Sequence, residues 1–224
     1  KLIRSEAGLK ADKKGSRIAA EGIVNYYEDE KYSLILELNS ETDFVARDNN
    51  FISLASSIAE KLLKNDPSQV QDDITNEISS VISKLGEKIQ LRRFKKIKKN
   101  NFVYGYSHNN KISSIVEIKN KNNILAKDIC MQIVASNPLS LDEASLDLEI
   151  LKNEKEIYKK ELEKLDKKED IKRNILDGKI KKFINENTLL NQPFVKDPSS
   201  SLSKIIKDNE IISFVRYEAV SYTH

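Results

Sequence analysis

Cysteine occurs once in the 224 residues, at Cys130, and histidine twice, at His108 and His224. A single thiol excludes an internal disulfide framework and makes a reducing compartment the default expectation. So few thiol and imidazole groups also argue against a zinc site. Glycine occurs only six times, never at the spacing of a phosphate-cradling loop. No run of about 18 apolar residues is present, so no transmembrane helix is expected. No secretory pattern opens the chain, and there is no initiator Met, so Lys1 is expected to mark a cut edge. No Ser/His/Asp or Cys/His set can be assembled. No catalytic residue, cofactor or metal is therefore expected from these residues.

Charge of one sign is lacking as well. The 38 Lys and Arg nearly balance the 35 Asp and Glu, leaving a net charge of +3. A dedicated nucleic-acid binder usually has a concentrated basic excess, which this chain does not. Charged residues make up 33%, the composition of a soluble globular protein with a heavily charged surface. The length allows one large domain or two small ones.

What is present is clear local periodicity. Residues 1–15 are basic and read as the tail of a helix. Ala19–Tyr27 reads as a strand, and Asp29-Glu30 as a turn. Tyr32, Leu34, Leu36 and Leu38 alternate with Ser33, Ile35, Glu37 and Asn39, a strand with one apolar face. Asp48, Asn49 and Asn50 offer helix N-caps. Phe51, Leu54, Ala55, Ile58 and Leu62 then recur at helical spacing. Asp66-Pro67-Ser68 separates this helix from a second that runs to about Leu85, with Gly86 as its stop.

Strands are expected over 89–97, 102–107 and 111–118, with Asn100-Asn101 and Asn109-Asn110 as turns. Ala126, Ile129, Cys130, Ile133 and Val134 mark a buried helix face, ended by Pro138. A long charged helix is expected from Leu141 to about Leu165, and a second from about Ile171 to Phe183 with Gly178 in its middle. Residues 191–199 read as a loop with an exposed Phe194, followed by a short helix at 202–207 and a strand at 211–217. Strands and helices in separate runs favour an α+β fold with antiparallel sheets.

Few residue clusters stand out. His108 lies beside Asn109 and Asn110, where an ordinary turn histidine accounts for it, and Cys130 reads as a small packed hydrophobe. Arg92, Arg93, Lys95, Lys96, Lys98 and Lys99, near Phe94, Phe102 and Tyr104, form the best nucleic-acid candidate, although a strand with a solvated edge gives the same pattern. Thr42-Asp43-Phe44-Val45-Ala46 is more pointed, because it places an aromatic ring at a tight strand-to-helix turn. Two readings stand side by side: Phe44 as an anchor for a partner's pocket, or as a staple packed back on the following helix.

The chain resembles the elongation factor Ts family. The resemblance is carried by Gly15-Ser16-Arg17-Ile18-Ala19-Ala20-Glu21-Gly22, by Leu36 through Arg47 around Thr42-Asp43-Phe44-Val45-Ala46, and by Gly86-Glu87-Lys88-Ile89 with Arg92-Arg93. It continues through Asp128–Ser136, Gly178–Phe183, Gln192-Pro193-Phe194-Val195-Lys196-Asp197 and Phe214-Val215-Arg216-Tyr217-Glu218. Any one match is weak, and the ordered set is specific. The resemblance lacks the family's N-terminal ubiquitin-associated-like module, apart from a tail at Lys1–Lys14, and its C-terminal helix. The family's Gly-Lys-Pro turn is Asp166-Lys167-Lys168 here, and Gln132 stands where some members carry a His at the partner interface.

What the resemblance implies is a guanine-nucleotide exchange factor for elongation factor Tu, which carries out no covalent chemistry and so is not an enzyme, located in the cytoplasm or an organelle matrix or stroma. The exchange wedge falls on Thr42, Asp43, Phe44 and Val45, with the Phe44 ring in an apolar pocket of the partner's GTP-binding domain and Asp43 in polar contacts. A second partner contact falls on His108 and Gln132. The implied divisions are an N-terminal remnant over 1–14, a first core subdomain over 15–88, and a second over 89–167 and 209–224. A self-associating or partner-binding helical arm would span 168–208, with Gln192, Pro193 and Phe194 near its tip. The alternative is an RNA-binding translation accessory protein using strand 92–99.

Overall fold

The computed structural model describes residues 18–219. The remnant expected over 1–14 and the tail beyond residue 219 lie outside these residues. Among the described residues the architecture is α+β, with antiparallel sheets of three, three and two strands.

The first sheet starts as a hairpin of β1 (Glu21–Glu28) and β2 (Tyr32–Ser40). The Asp29 carboxylate closes it by accepting the Tyr32 N–H at 2.6 Å and the Lys31 N–H at 2.8 Å. A one-turn helix α1 (Asp43–Ala46) follows, then α2 (Asn49–Lys64) and α3 (Pro67–Leu85). Both longer helices begin on aspartate caps: Asp48 accepts from the Asn50 N–H, and Asp66 from the Ser68 N–H. Gly86 ends α3 at φ +78°, a left-handed conformation that a side chain would strain. Strand β3 (Gln90–Lys98) then returns to pair with β2, giving the order β1-β2-β3. This corrects the division of the chain at residue 88, since residues 90–98 belong to the first sheet.

The second sheet has the order β4-β5-β8, from β4 (Phe102–His108), β5 (Ile112–Ile118) and the distant β8 (Ile211–Glu218). The β4–β5 turn holds Asn109 and Asn110 at φ +51° and +57°, the pair of left-handed residues that a tight hairpin requires. Helix α4 (Asn123–Ser136) covers the outer face of this sheet, and Asn137 at φ +46° ends it before Pro138.

The two sheets pack face to face. Leu34, Leu36 and Leu38 point to α2 and α3, whereas Ile35 on the opposite face of β2 packs with Val24, Val103 and Ile115 between the sheets. Both faces of β2 are therefore buried, although alternation had suggested only one apolar face. The polar residues on the inner face are satisfied internally. The Ser33 and Tyr26 hydroxyls lie 3.1 Å apart, and Glu37 accepts from Arg93 Nε at 2.7 Å. At Gly105 a Cβ would lie 2.1 Å from the Tyr26 ring, so glycine is what lets this aromatic fit between the sheets.

Helices α5 (Leu148–Glu163) and α6 (Glu169–Asn187) form an antiparallel pair turned at residues 164–168. The expected helix from Leu141 begins only at Leu148, because Asp147 caps it and Leu146 is tucked inside. Neither helix supplies a residue to the three core clusters. Where the chain returns, Leu189 N–H donates to Ser140 O at 2.9 Å and Leu190 N–H to Leu141 O at 3.0 Å. A small hairpin of β6 (Pro193–Phe194) and β7 (Asp197–Ser201) and a short helix α7 (Leu202–Ile206) then close over the second sheet.

Candidate functional site

Residues Thr42–Ala46 form a capped turn between β2 and α2. Thr42 is the N-cap of α1, and its hydroxyl accepts from the Val45 N–H at 3.4 Å. Ala46 is buried and Val45 packs against the first core, which fixes the far side of the turn. The Phe44 ring is 83% exposed. This counts against the staple, which would bury the ring on α2. It leaves a large apolar side chain held in water at a fixed point.

The turn is tied down from a distance. The Thr42 N–H donates to Glu87 Oε2 at 3.0 Å, and the Thr42 hydroxyl to Glu87 Oε1 at 2.7 Å. Glu41 Oε1 accepts the Lys88 N–H at 2.7 Å. Asp43 pairs with Arg47 at 3.2 Å on the exposed side. Asp48 has its carboxyl pulled below the usual range by the Asn50 side chain and backbone N–H. A groove of ≈ 400 Å³ runs from Asp43, Ala46 and Arg47 to Asn109, Asn110 and Lys111, so the tip of the second sheet's hairpin stands beside the turn.

The remaining expected site residues are distributed differently. His108 is exposed on that hairpin, with Nδ1 at 3.2 Å from the Tyr106 hydroxyl. Gln132 is 1% exposed and turned inward. Its amide nitrogen lies 3.2 Å from both Gln192 Oε1 and Pro193 O, and its oxygen accepts the Val195 N–H at 2.7 Å. Gln132 is therefore not a surface contact in this structure.

The same network corrects the arm tip. Gln192 is 2% and Phe194 6% exposed, and Phe194 belongs to the core under the second sheet. Gln192, Pro193 and Phe194 sit at the base of the helix pair, and its tip is at residues 164–168. The expected arm over 168–208 is instead built from α5 and α6, with 188–206 folded onto the body.

The basic strand is largely occupied internally. Arg93 bonds Glu37 at 2.7 Å and Glu218 O at 3.1 Å, and lies 4.2 Å over the Tyr217 ring. Lys96 Nζ donates to Leu62 O at 2.7 Å at the end of α2, and Lys99 pairs with Glu28. These contacts count against the RNA-binding alternative. Cys130 is buried, and burial pushes its thiol up to about 12. The Glu41 and Glu87 clamps were missed from sequence, because carboxylates 45 or more residues from their partners give no local signal.

Fold and site together define an α+β protein that presents a rigid Phe-tipped turn beside a hairpin. The family model described as Elongation factor TS matches residues 41–220, a span that includes the turn. Elongation factor Ts of Legionella pneumophila (strain Paris) is 39% identical over 230 residues, covering 96% of this chain and 79% of that protein. Elongation factor Ts of Halothermothrix orenii is 39% identical over 237 residues, covering 96% and 79%. Elongation factor Ts of Alkalilimnicola ehrlichii is 36% identical over 231 residues, covering 97% and 79%. The chain belongs to the elongation factor Ts family, and with it to translation elongation.

Proposed function

We propose that this chain binds elongation factor Tu carrying GDP and promotes GDP release, with Phe44 as the inserted anchor and Asp43 as its polar neighbour. The observation that carries this reading is the exposed Phe44 ring on a turn fixed by Thr42 and Glu87. Insertion between helices of the partner's nucleotide-binding domain shifts the elements that hold phosphate, and GDP loses contacts.

Magnitudes limit what one side chain does. Burying a Phe yields about 1.5–3 kcal/mol. Loosening a nucleotide by four decades needs roughly 5.5 kcal/mol, at about 1.4 kcal/mol per decade. A second surface has to brace the wedge, and the hairpin tip with His108, Asn109 and Asn110 is the adjoining one. The exposed Ile157 and Ile171 of the helix pair offer a further apolar surface for self-association or partner contact.

Linkage makes the effect reciprocal: a factor that weakens GDP binding is itself displaced by GDP. Mixing the chain with elongation factor Tu loaded with fluorescent GDP tests this. The expected result is release that accelerates with the chain's concentration, and a complex that excess GDP dissociates. Salt-dependent RNA binding with no effect on GDP release would instead support the RNA-binding alternative.

A further inference from the structure

We propose that Glu87 is a positioning residue for the wedge: its carboxylate, together with that of Glu41, holds the turn in the shape that presents Phe44. The inference rests on the exchange function proposed above and extends it to residues outside the turn.

Helix α1 spans only four residues, too short to hold itself in water. Phe44 gains nothing from packing, being almost fully exposed. Val45 and Ala46 pack on the first core and fix the far side of the turn, so the near side at Thr42 has to be ordered by hydrogen bonds. Thr42 is held at three of its polar atoms. Its N–H and its hydroxyl each donate to a different oxygen of Glu87, at 3.0 and 2.7 Å, and its carbonyl accepts from the buried Ser40 hydroxyl at 2.9 Å.

The Glu87 contact also sets the polarity of the cap. A hydroxyl has one proton; once it is given to Glu87, only lone pairs remain to face the Val45 N–H. Glu87 thus fixes the N-cap as an acceptor, which the first turn of a helix requires.

The arrangement is reciprocal. Glu87 receives the Thr42 N–H, and Glu41 receives the Lys88 N–H at 2.7 Å. Two dipeptides, Glu41-Thr42 and Glu87-Lys88, each accept a backbone proton from the other across 45–47 residues of sequence. Charge-assisted bonds of this kind are short and directional. Gly86, at φ +78°, is the left-handed stop that turns the chain from α3 into this contact. Fixing the turn before the partner arrives removes an ordering cost that binding would otherwise carry.

The test uses Glu87→Ala and Glu87→Gln in the full chain, each also combined with Phe44→Ala. Amide hydrogen exchange of the free protein should show faster exchange over residues 42–47 in Glu87→Ala, with β2 and α2 still protected. GDP release from elongation factor Tu should become about tenfold less efficient. Glu87→Gln retains one acceptor oxygen and should lie between. In the Phe44→Ala background the Glu87 substitutions should add almost nothing, because they act through the same ring.

Unchanged hydrogen exchange over 42–47 in both variants overturns the inference. So does loss of protection throughout the first sheet in both, or an equal effect on release with and without Phe44. If Phe44→Ala alone leaves release unaltered, the exchange reading fails, while hydrogen exchange still reports on the clamp independently.

Discussion

At the scale of single residues, exposure and partner decide roles that residue type leaves open. Phe44 and Phe194 both follow turn-forming residues in the sequence, yet one stands in solvent and the other lies in the core under the second sheet. Nothing local distinguishes them, because burial of a loop aromatic depends on what folds over it. Cys130 was legible as a packed residue, since it sits in a line of apolar positions at helical spacing. Arg93 was legible only as charge. Its partner, Glu37, is buried, and Arg93 Nε donates to it at 2.7 Å. Arg93→Ala removes that partner and the stack on Tyr217. Destabilisation by about 2 kcal/mol is expected, the range of a hydrogen bond to a charged group, because Arg93 is itself half-exposed and Glu37 keeps the Asn39 amide and Arg92 at 3.9 Å. Urea unfolding measures it, and a loss below about 0.5 kcal/mol contradicts the assignment.

At the scale of elements, the caps carry the clearest pH signature. Asp48 and Asp66 have their carboxyls held below the ordinary value of 3.8, chiefly by hydrogen bonds from the side chains of Asn50 and Ser68. A carboxyl with a lowered folded-state pKa stabilises the fold above its unfolded value, and the contribution is lost as pH falls through the folded value. The contribution of the caps is therefore expected to be level above the unfolded value and to decline below 3.8 as they protonate, adding to the earlier losses from Glu60, Glu77 and Glu156, which are lowered from 4.5. Asp48→Asn and Asp66→Asn, which keep a capping oxygen, should shallow that decline; an acid limb identical to that of the parent contradicts it. These helix starts were readable from sequence because Asx caps and Pro67 act locally. The start of α5 was not, since Leu141 and Leu146 continue an apolar pattern across a turn that only Asp147 ends. The partnership of β3 was also hidden: its charges suggested a solvated edge, and the contacts of Arg93, Lys96 and Lys99 appear only once β1, β2, β8 and α2 are in place.

At the scale of the molecule, four layers stack as helices, sheet, sheet and helix, with α5 and α6 outside all of them. The α+β class and the helix pair followed from pattern and family resemblance. The resemblance also grouped 209–224 with the second core, where β8 pairs with β5; the place of β3 beside β2 in the first sheet did not follow, because a charged strand gives no local sign of its partner. The helix pair adds nothing to the core clusters, and its base is pinned by Ser140, Leu141, Leu189 and Leu190. Replacing residues 153–183 by a short flexible turn is therefore expected to leave one cooperative thermal transition, shifted by about 4 °C or less. Loss of cooperative unfolding on that replacement contradicts the layered description. The layers also explain the placement of the Thr42–Ala46 turn: it sits where the first sheet hands over to α2 and where the second sheet's hairpin reaches alongside.

The most direct measurement is stopped-flow release of fluorescent GDP from elongation factor Tu, driven by the parent chain and by Phe44→Ala. The ring has no core partner, so the variant should unfold like the parent. Its exchange efficiency should fall by at least tenfold, equivalent to about 1.4 kcal/mol or more of lost anchor energy. Equal release by a fully folded Phe44→Ala chain contradicts the account.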